Sequence, residues 1–165
     1  MEIFNYGSWL IGYNEYNTHA YTDFLDAGTR LYCVGGDDNH NYSDPDNRKF
    51  DSFGAFTMIK AEKLDYTTIT DALVKGNFYA SEGPEIYDLY YENETVHLIC
   101  SPVDRIQMNT GARHARAYYD ETGDGLTHAE FCVNDPVVNY VRFTIIDKHG
   151  KRACTNAYYY KDIVK

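Results

Sequence analysis

Two spacings of apolar residues divide this chain. In the first half, short apolar runs alternate with segments of helical period. Met1–Phe4 predicts a short strand. Glu15 to Ala27 predicts a helix with Tyr16, Ala20, Phe24 and the adjacent Leu25 on one face. Asn14 stands at the expected N-cap, and Gly28 lies just past the end. Leu31–Gly35 predicts a strand apolar enough to be covered on both faces, as parallel strands are. From Asp37 to about Asp51 the chain is rich in Asp and Asn and contains Pro45, which excludes regular structure. Phe53–Lys60 then predicts a strand. Tyr66–Lys75 predicts a second helix, with Ile69, Ala72 and Leu73 inward and Gly76 ending it. Asn77–Ala80 predicts a closing strand, and Ser81-Glu82-Gly83-Pro84 reads as a turn and domain boundary.

Beyond that turn the period becomes two. Ile86–Tyr91, Thr95–Cys100, Arg105–Met108, Ala115–Tyr119, Leu126–Val133, Tyr140–Asp147 and Ala153–Tyr160 all predict strands. Turn clusters separate them, among them Glu92-Asn93-Glu94, Asn134-Asp135-Pro136 and Lys148-His149-Gly150. Val96, Leu98 and Cys100 alternate with Thr95, His97 and Ile99, the pattern of a half-buried strand, and Val141, Phe143 and Ile145 alternate likewise. Such spacing predicts a small antiparallel sandwich or barrel. The expected fold class is α+β: residues 1–84 an α/β segment, residues 85–165 a β-rich, sandwich-like domain.

Charge narrows the partners. Fifteen Lys and Arg against 25 Asp and Glu give a formal charge of −10, with no basic stretch to follow a phosphate backbone. Nucleic acid is therefore not an expected partner. No apolar run approaches the roughly 18 residues that span a bilayer, and Glu2, Asn5 and Gly7 interrupt any leader-like segment. The expected location is cytoplasmic, which leaves the sequons at Asn41 and Asn93 without meaning. Cys33, Cys100, Cys132 and Cys154 form no C-x-x-C pair; their even number permits two disulfides, but each sits in an apolar run, which favours reduced core thiols. The 17 tyrosines cluster at Tyr90-Tyr91, Tyr118-Tyr119 and Tyr158–Tyr160, in strand-like segments where packing is expected and a ligand platform is the alternative.

Asp38 and His40 lead the candidates for chemistry. They follow an apolar strand, where loops converge on ligands in α/β units. Asp-x-His offers an oxygen and a nitrogen to Zn, Mn or Fe; the other reading is an ordinary solvated turn. His19, His97, His114, His128 and His149 form no H-x-H or H-E-x-x-H pattern and read as surface or strand histidines. Asp120–Gly125 has the opening of a calcium loop, but position twelve is Phe131, so a hairpin turn is expected.

An ordered set of motifs supports a family resemblance. Met1-Glu2-Ile3-Phe4-Asn5, Gly36-Asp37-Asp38-Asn39-His40, Asp51-Ser52-Phe53-Gly54 and Phe78-Tyr79-Ala80-Ser81-Glu82-Gly83-Pro84 together resemble the C-terminal part of polymerase and histidinol phosphatase (PHP) domain proteins. Tyr140-Val141-Arg142 and Thr155-Asn156-Ala157 are similar to the β-rich tail that follows that domain in one branch. The resemblance implies a distorted (β/α) barrel with a multi-metal cluster that hydrolyses phosphorylated small molecules. Asp38 and His40 would be its last Asp-x-His ligands, with Asp37 a neighbour. The family's early His-x-His motif and middle ligands are not among these 165 residues. The chain is thus expected to be a C-terminal fragment or shortened relative, binding divalent metal weakly or not at all and inactive alone. Barrel strands left unpaired would favour a homo-oligomer, and two copies sharing ligands is one further route to activity. The alternative is a non-catalytic binding or assembly module built on the tyrosine-rich β half.

Overall fold

The computed structural model describes residues 1–13, 16–111, 114–133 and 139–163. In chain order its elements are β1 (Glu2–Asn5), α1 (Tyr6–Leu10), α2 (Thr18–Asp26), β2 (Val34–Gly36), β3 (Phe56–Ile59), α3 (Tyr66–Lys75), β4 (Phe78–Ser81) and β5 (Ile86–Glu92). There follow β6 (Thr95–Val103), β7 (Arg105–Thr110), β8 (Ala115–Tyr119), β9 (Leu126–Cys132), β10 (Tyr140–Ile146), β11 (Arg152–Thr155), β12 (Tyr158–Tyr159) and α4 (Tyr160–Ile163). The fold is mixed α+β, mostly antiparallel sheet with a few short helices, and no barrel closes among the described residues. No helix among them is long and apolar enough to cross a membrane.

Three layers result. The middle one is a seven-stranded antiparallel sheet, ordered β3-β4-β11-β10-β7-β8, with β12 also on β10. It takes β3 and β4 from before the Ser81–Pro84 turn and the rest from after it. On one face lies the three-stranded sheet β5-β6-β9. On the other lie α2 and the parallel pair β1-β2.

Strand β10 shows why both faces are covered. Val141, Phe143 and Ile145 pack with Val96, Leu98, Ala129 and Phe131 between the sheets. The intervening Tyr140, Arg142 and Thr144 are equally buried. Tyr140 joins the second core with Ile3, Phe4, Tyr21 and Leu25. The alternation predicted a strand covered on one face only; α2 covers the other, through side chains that are polar in sequence.

Hydrogen bonds fasten α2 in place. Tyr140 Oη donates to Asp26 Oδ1 at 3.0 Å. Tyr21 Oη donates to the Leu31 carbonyl at 3.1 Å and accepts from the Ala157 amide at 3.2 Å. The buried Arg142 guanidinium donates through Nη2 to Thr18 Oγ1 at 3.0 Å and to Thr22 Oγ1 at 2.8 Å. Its carbon lies 5.6 Å from the Tyr21 ring centre. Among the described residues Nε finds no partner. Asn156, also buried, accepts from the Cys33 amide at 2.9 Å and donates to the Gly76 and Phe78 carbonyls, both at 3.0 Å. One amide thus ties together the approach to β2, the end of α3 and the start of β4. Gly76 itself ends α3 in the left-handed region, φ 74°, which a side chain would disfavour.

Several expected elements are altered for identifiable reasons. The first helix begins at Thr18 and buries Tyr21 and Leu25, whereas Phe24 is half exposed and Tyr16 precedes the helix, bridging to Phe4. The expected cap Asn14, Glu15 and the turn Asn134-Asp135-Pro136 lie outside the described residues. The Ala153–Tyr160 strand is broken at Asn156-Ala157, where the Asn156 side chain is engaged elsewhere. All four cysteines are free, and burial pushes the Cys33 and Cys100 thiols up to about 12, but Cys132 is exposed rather than core. The Asp120–Gly125 turn carries the chain from one sheet to the other, since β8 pairs with β7 and β9 with β6; it is not a hairpin. The Asp120 carboxylate is spent on that turn, accepting from the Thr122, Gly123 and Gly125 amides.

A buried guanidinium held by hydroxyls yields a test. Thr22→Val removes one acceptor and is expected to destabilise by about 1–3 kcal/mol. Arg142→Met fills the slot without the charge and is expected to be neutral or stabilising. Thermal denaturation of both variants decides it; a larger loss for Arg142→Met would show the buried cation to be net favourable.

Candidate functional site

The C-terminal ends of β1 and β2 lie side by side, with Asn5 paired to Gly36. The segments leaving them meet at one corner. Asn5, almost fully buried, organises it. Its Oδ1 accepts from the Ser8 amide at 2.8 Å and caps α1, a five-residue helix that the hydrophobic pattern does not predict. Its Nδ2 faces two carboxylates, Glu2 Oε2 at 3.1 Å and Asp38 Oδ2 at 3.3 Å.

Asp38 thereby turns its other oxygen outward. Asp38 Oδ1 lies 3.5 Å from His40 Nε2, and both side chains are about half exposed. The His40 ring stacks on Tyr42, centroids 5.1 Å apart and planes 3° from parallel, which fixes its heading. The two donors border a cleft of about 580 Å³ lined also by Gly7, Ser8, Lys49 and Asp51.

The loop carrying these residues is irregular but tightly held. Asp37 uses both carboxylate oxygens on the main chain: Oδ2 accepts from the Phe53 amide at 2.6 Å, and Oδ1 from the Gly54 and Ala55 amides at 2.8 Å each. This capture shortens the strand expected from Phe53 to Lys60, which starts only at Phe56. Asp51, buried, accepts from the His40 amide at 2.8 Å, and Asn39 Nδ2 donates to the Asp51 carbonyl and to Ser52 Oγ. The hydrogen bond from His40 is the main cause that holds the Asp51 carboxyl below the usual carboxylate range. Because that pKa is depressed on folding, its stabilisation is full at neutral pH. It is lost as pH falls from about 3.9 toward the lower folded value.

Strain accompanies this bracing. Asp38, Asn41 and Phe53 all have left-handed backbones, with φ of 48°, 56° and 64°. Asp and Asn tolerate that region; an exposed Phe does so only where surrounding bonds over-determine it. A methyl on Gly54 would collide with the Tyr6 ring, so the loop and α1 meet with no room for a side chain.

The donor set fits a share of a metal site. A carboxylate oxygen and an imidazole nitrogen 3.5 Å apart match two neighbouring ligands on one Zn, Mn or Fe ion. The nearby Asp37 and Asp51 are committed to main-chain amides, and Glu2 and Asp38 do not join a third ligand in a tight cluster among the described residues. Asn5, Tyr42 and Asp51 position the pair; Asn5 and Asp51 lie in motifs singled out in the sequence, but nothing there marks these contacts. The sequence signals for Asn5 are its place at the end of a strand, where loops converge, and at the end of the Met1–Asn5 motif.

Asp37 and Asp38 have separable roles in this geometry. Asp37→Ala is expected to destabilise the protein by roughly 2–3 kcal/mol and to speed hydrogen exchange at the Phe53–Ala55 amides. Asp38→Asn, which tolerates the left-handed backbone, is expected to change neither. Equal effects of the two substitutions on that exchange would contradict the assignment.

Compared with family models, curated proteins and solved structures, the chain matches none.

Proposed function

We propose that the Asp38–His40 corner is part of a divalent-metal phosphoesterase centre of the PHP type. Residues 1–84 then correspond to the closing portion of that family's α/β barrel, and residues 85–165 to its β-rich, sandwich-like tail. The observation that supports this most is the facing of Asp38 Oδ1 and His40 Nε2, 3.5 Å apart, beyond the C-terminal ends of two parallel strands. Ligands gather at that end of parallel sheets.

Asp38 Oδ1 and His40 Nε2 would hold a Zn, Mn or Fe ion, which would supply the Lewis acidity for hydrolysis of a phosphate ester. The chain's own residues do the positioning. Asn5 fixes which Asp38 oxygen faces the cleft, and Tyr42 fixes the His40 ring. Lys49 lines the same cleft and offers a cation to a phosphorylated small molecule. Two donors hold one ion weakly and do not span two ions, so the 165 residues alone bind metal without turning over a phosphate ester.

Titration with Mn²⁺, followed by paramagnetic broadening of backbone amide signals, locates the ion directly. Broadening is expected to centre on residues 36–42 and to require at least about tenfold more metal in Asp38→Asn/His40→Ala. Hydrolysis of p-nitrophenyl phosphate is expected to stay at the uncatalysed level. No broadening at residues 36–42, or broadening there that is the same in the double variant as in the parent, would overturn the reading.

A further inference from the structure

The outer face of the three-stranded sheet carries a second group of metal-binding side chains, remote in sequence from Asp38 and His40. In the β6-β9 pairing, His97 stands directly opposite Glu130, and Ile99 opposite His128. Side chains alternate across a strand, so His128 and Glu130 share a face, and His97 shares it with them. Val96, Leu98, Ala129 and Phe131 point the other way, into the core between the sheets. The three ligand-bearing residues therefore converge on the side that no other layer covers among the described residues.

Their spacing is close to what one ion requires. His97 Nδ1 lies 3.3 Å from Glu130 Oε1, and His128 Nε2 lies 3.7 Å from that same oxygen. One ligand atom from each residue falls within 4.8 Å of the others. Tetrahedral zinc, with bonds of about 2.0–2.2 Å, separates neighbouring ligand atoms by about 3.3–3.5 Å. One pair is already at that separation. The others reach it by rotation of His128 and Glu130, whose side chains are 46% and 57% exposed.

The least mobile of the three is already aimed. The His97 side chain is only 17% exposed. Its ring stacks on Tyr90, its partner on β5, at 4.7 Å and 9°, and faces the His128 ring at 6.1 Å and 21°. The Glu130 main chain is held from the far side, where Tyr118 Oη donates to its carbonyl at 3.0 Å. Two imidazoles directed at one carboxylate oxygen make a donor set of two nitrogens and one oxygen. That set suits zinc and its transition-metal neighbours rather than magnesium or calcium.

We propose that His97, His128 and Glu130 form a transition-metal site that takes Zn²⁺, with a fourth position open to solvent. This proposal does not depend on the phosphoesterase reading. Zinc bound here clamps β6 to β9 and presents an exchangeable coordination position on the outer sheet face.

Isothermal titration of the full chain with Zn²⁺, in the Asp38→Asn/His40→Ala background, isolates this site. One zinc ion is expected to bind. Adding His128→Ala is expected to weaken binding by at least about 10–100-fold, since losing a ligand costs no less than losing an outer-shell partner. Glu130→Gln, which keeps the cross-strand packing, is expected to weaken it in the same direction, and His149→Ala in a remote turn to leave it unchanged. Failure of the Asp38→Asn/His40→Ala background to bind zinc would overturn the proposal, as would parent-like affinity in both His128→Ala and Glu130→Gln.

Discussion

The structure depends on one strand being buried from both sides. Every residue of β10 from Tyr140 to Ile145 is buried, and period-two geometry sends alternate side chains into different cores. One set binds the three-stranded sheet. The other holds α2 through Tyr140 and Arg142. That helix in turn packs on Ile3 and Phe4 of β1, which pairs with β2 at the corner that carries Asp38 and His40. The candidate site is thus positioned by a strand more than a hundred residues later in the sequence, through layers of packing rather than through a local motif.

Polar groups carry an unusual share of this packing. Arg142 and Asn156 are both buried: Arg142 joins β10 to α2, and Asn156 ties the approach to β2 and the end of α3 to the β4–β11 pair. Burying such groups is tolerable only where hydrogen bonds replace those lost to water. Asn156 meets that condition with three bonds. Arg142 meets it in part, through two threonine hydroxyls spaced one helical turn apart on α2. At the corner itself Asp37 plays the corresponding part, gathering three consecutive amides so that Asp38 and His40 stand on a braced loop.

Much of this was legible in the chain, and the failures share a cause. The bounds of α3 were readable to the residue, with Gly76 ending it locally, but of the three side chains expected inward only Ala72 is buried and Leu73 is exposed. The half-buried pattern of β6 was also correct. On β10 the same pattern misled, because Arg142 and Thr144 look solvent-facing until a helix distant in sequence covers them. Asp38 and His40 were visible as a pair at a strand end, whereas the residues that aim them, Asn5 and Tyr42, act through contacts that spacing does not encode. His97 and His128 read as unrelated strand histidines, since β6 pairs with β9 past two intervening strands.

The proposed metal site at the corner beyond β1 and β2 is open to a direct test. Anomalous diffraction at the manganese edge from Mn²⁺-soaked crystals tests it most directly. The expected result is a peak within bonding distance of both Asp38 Oδ1 and His40 Nε2. An empty corner at saturating Mn²⁺, with Asp38 and His40 well ordered, would contradict it.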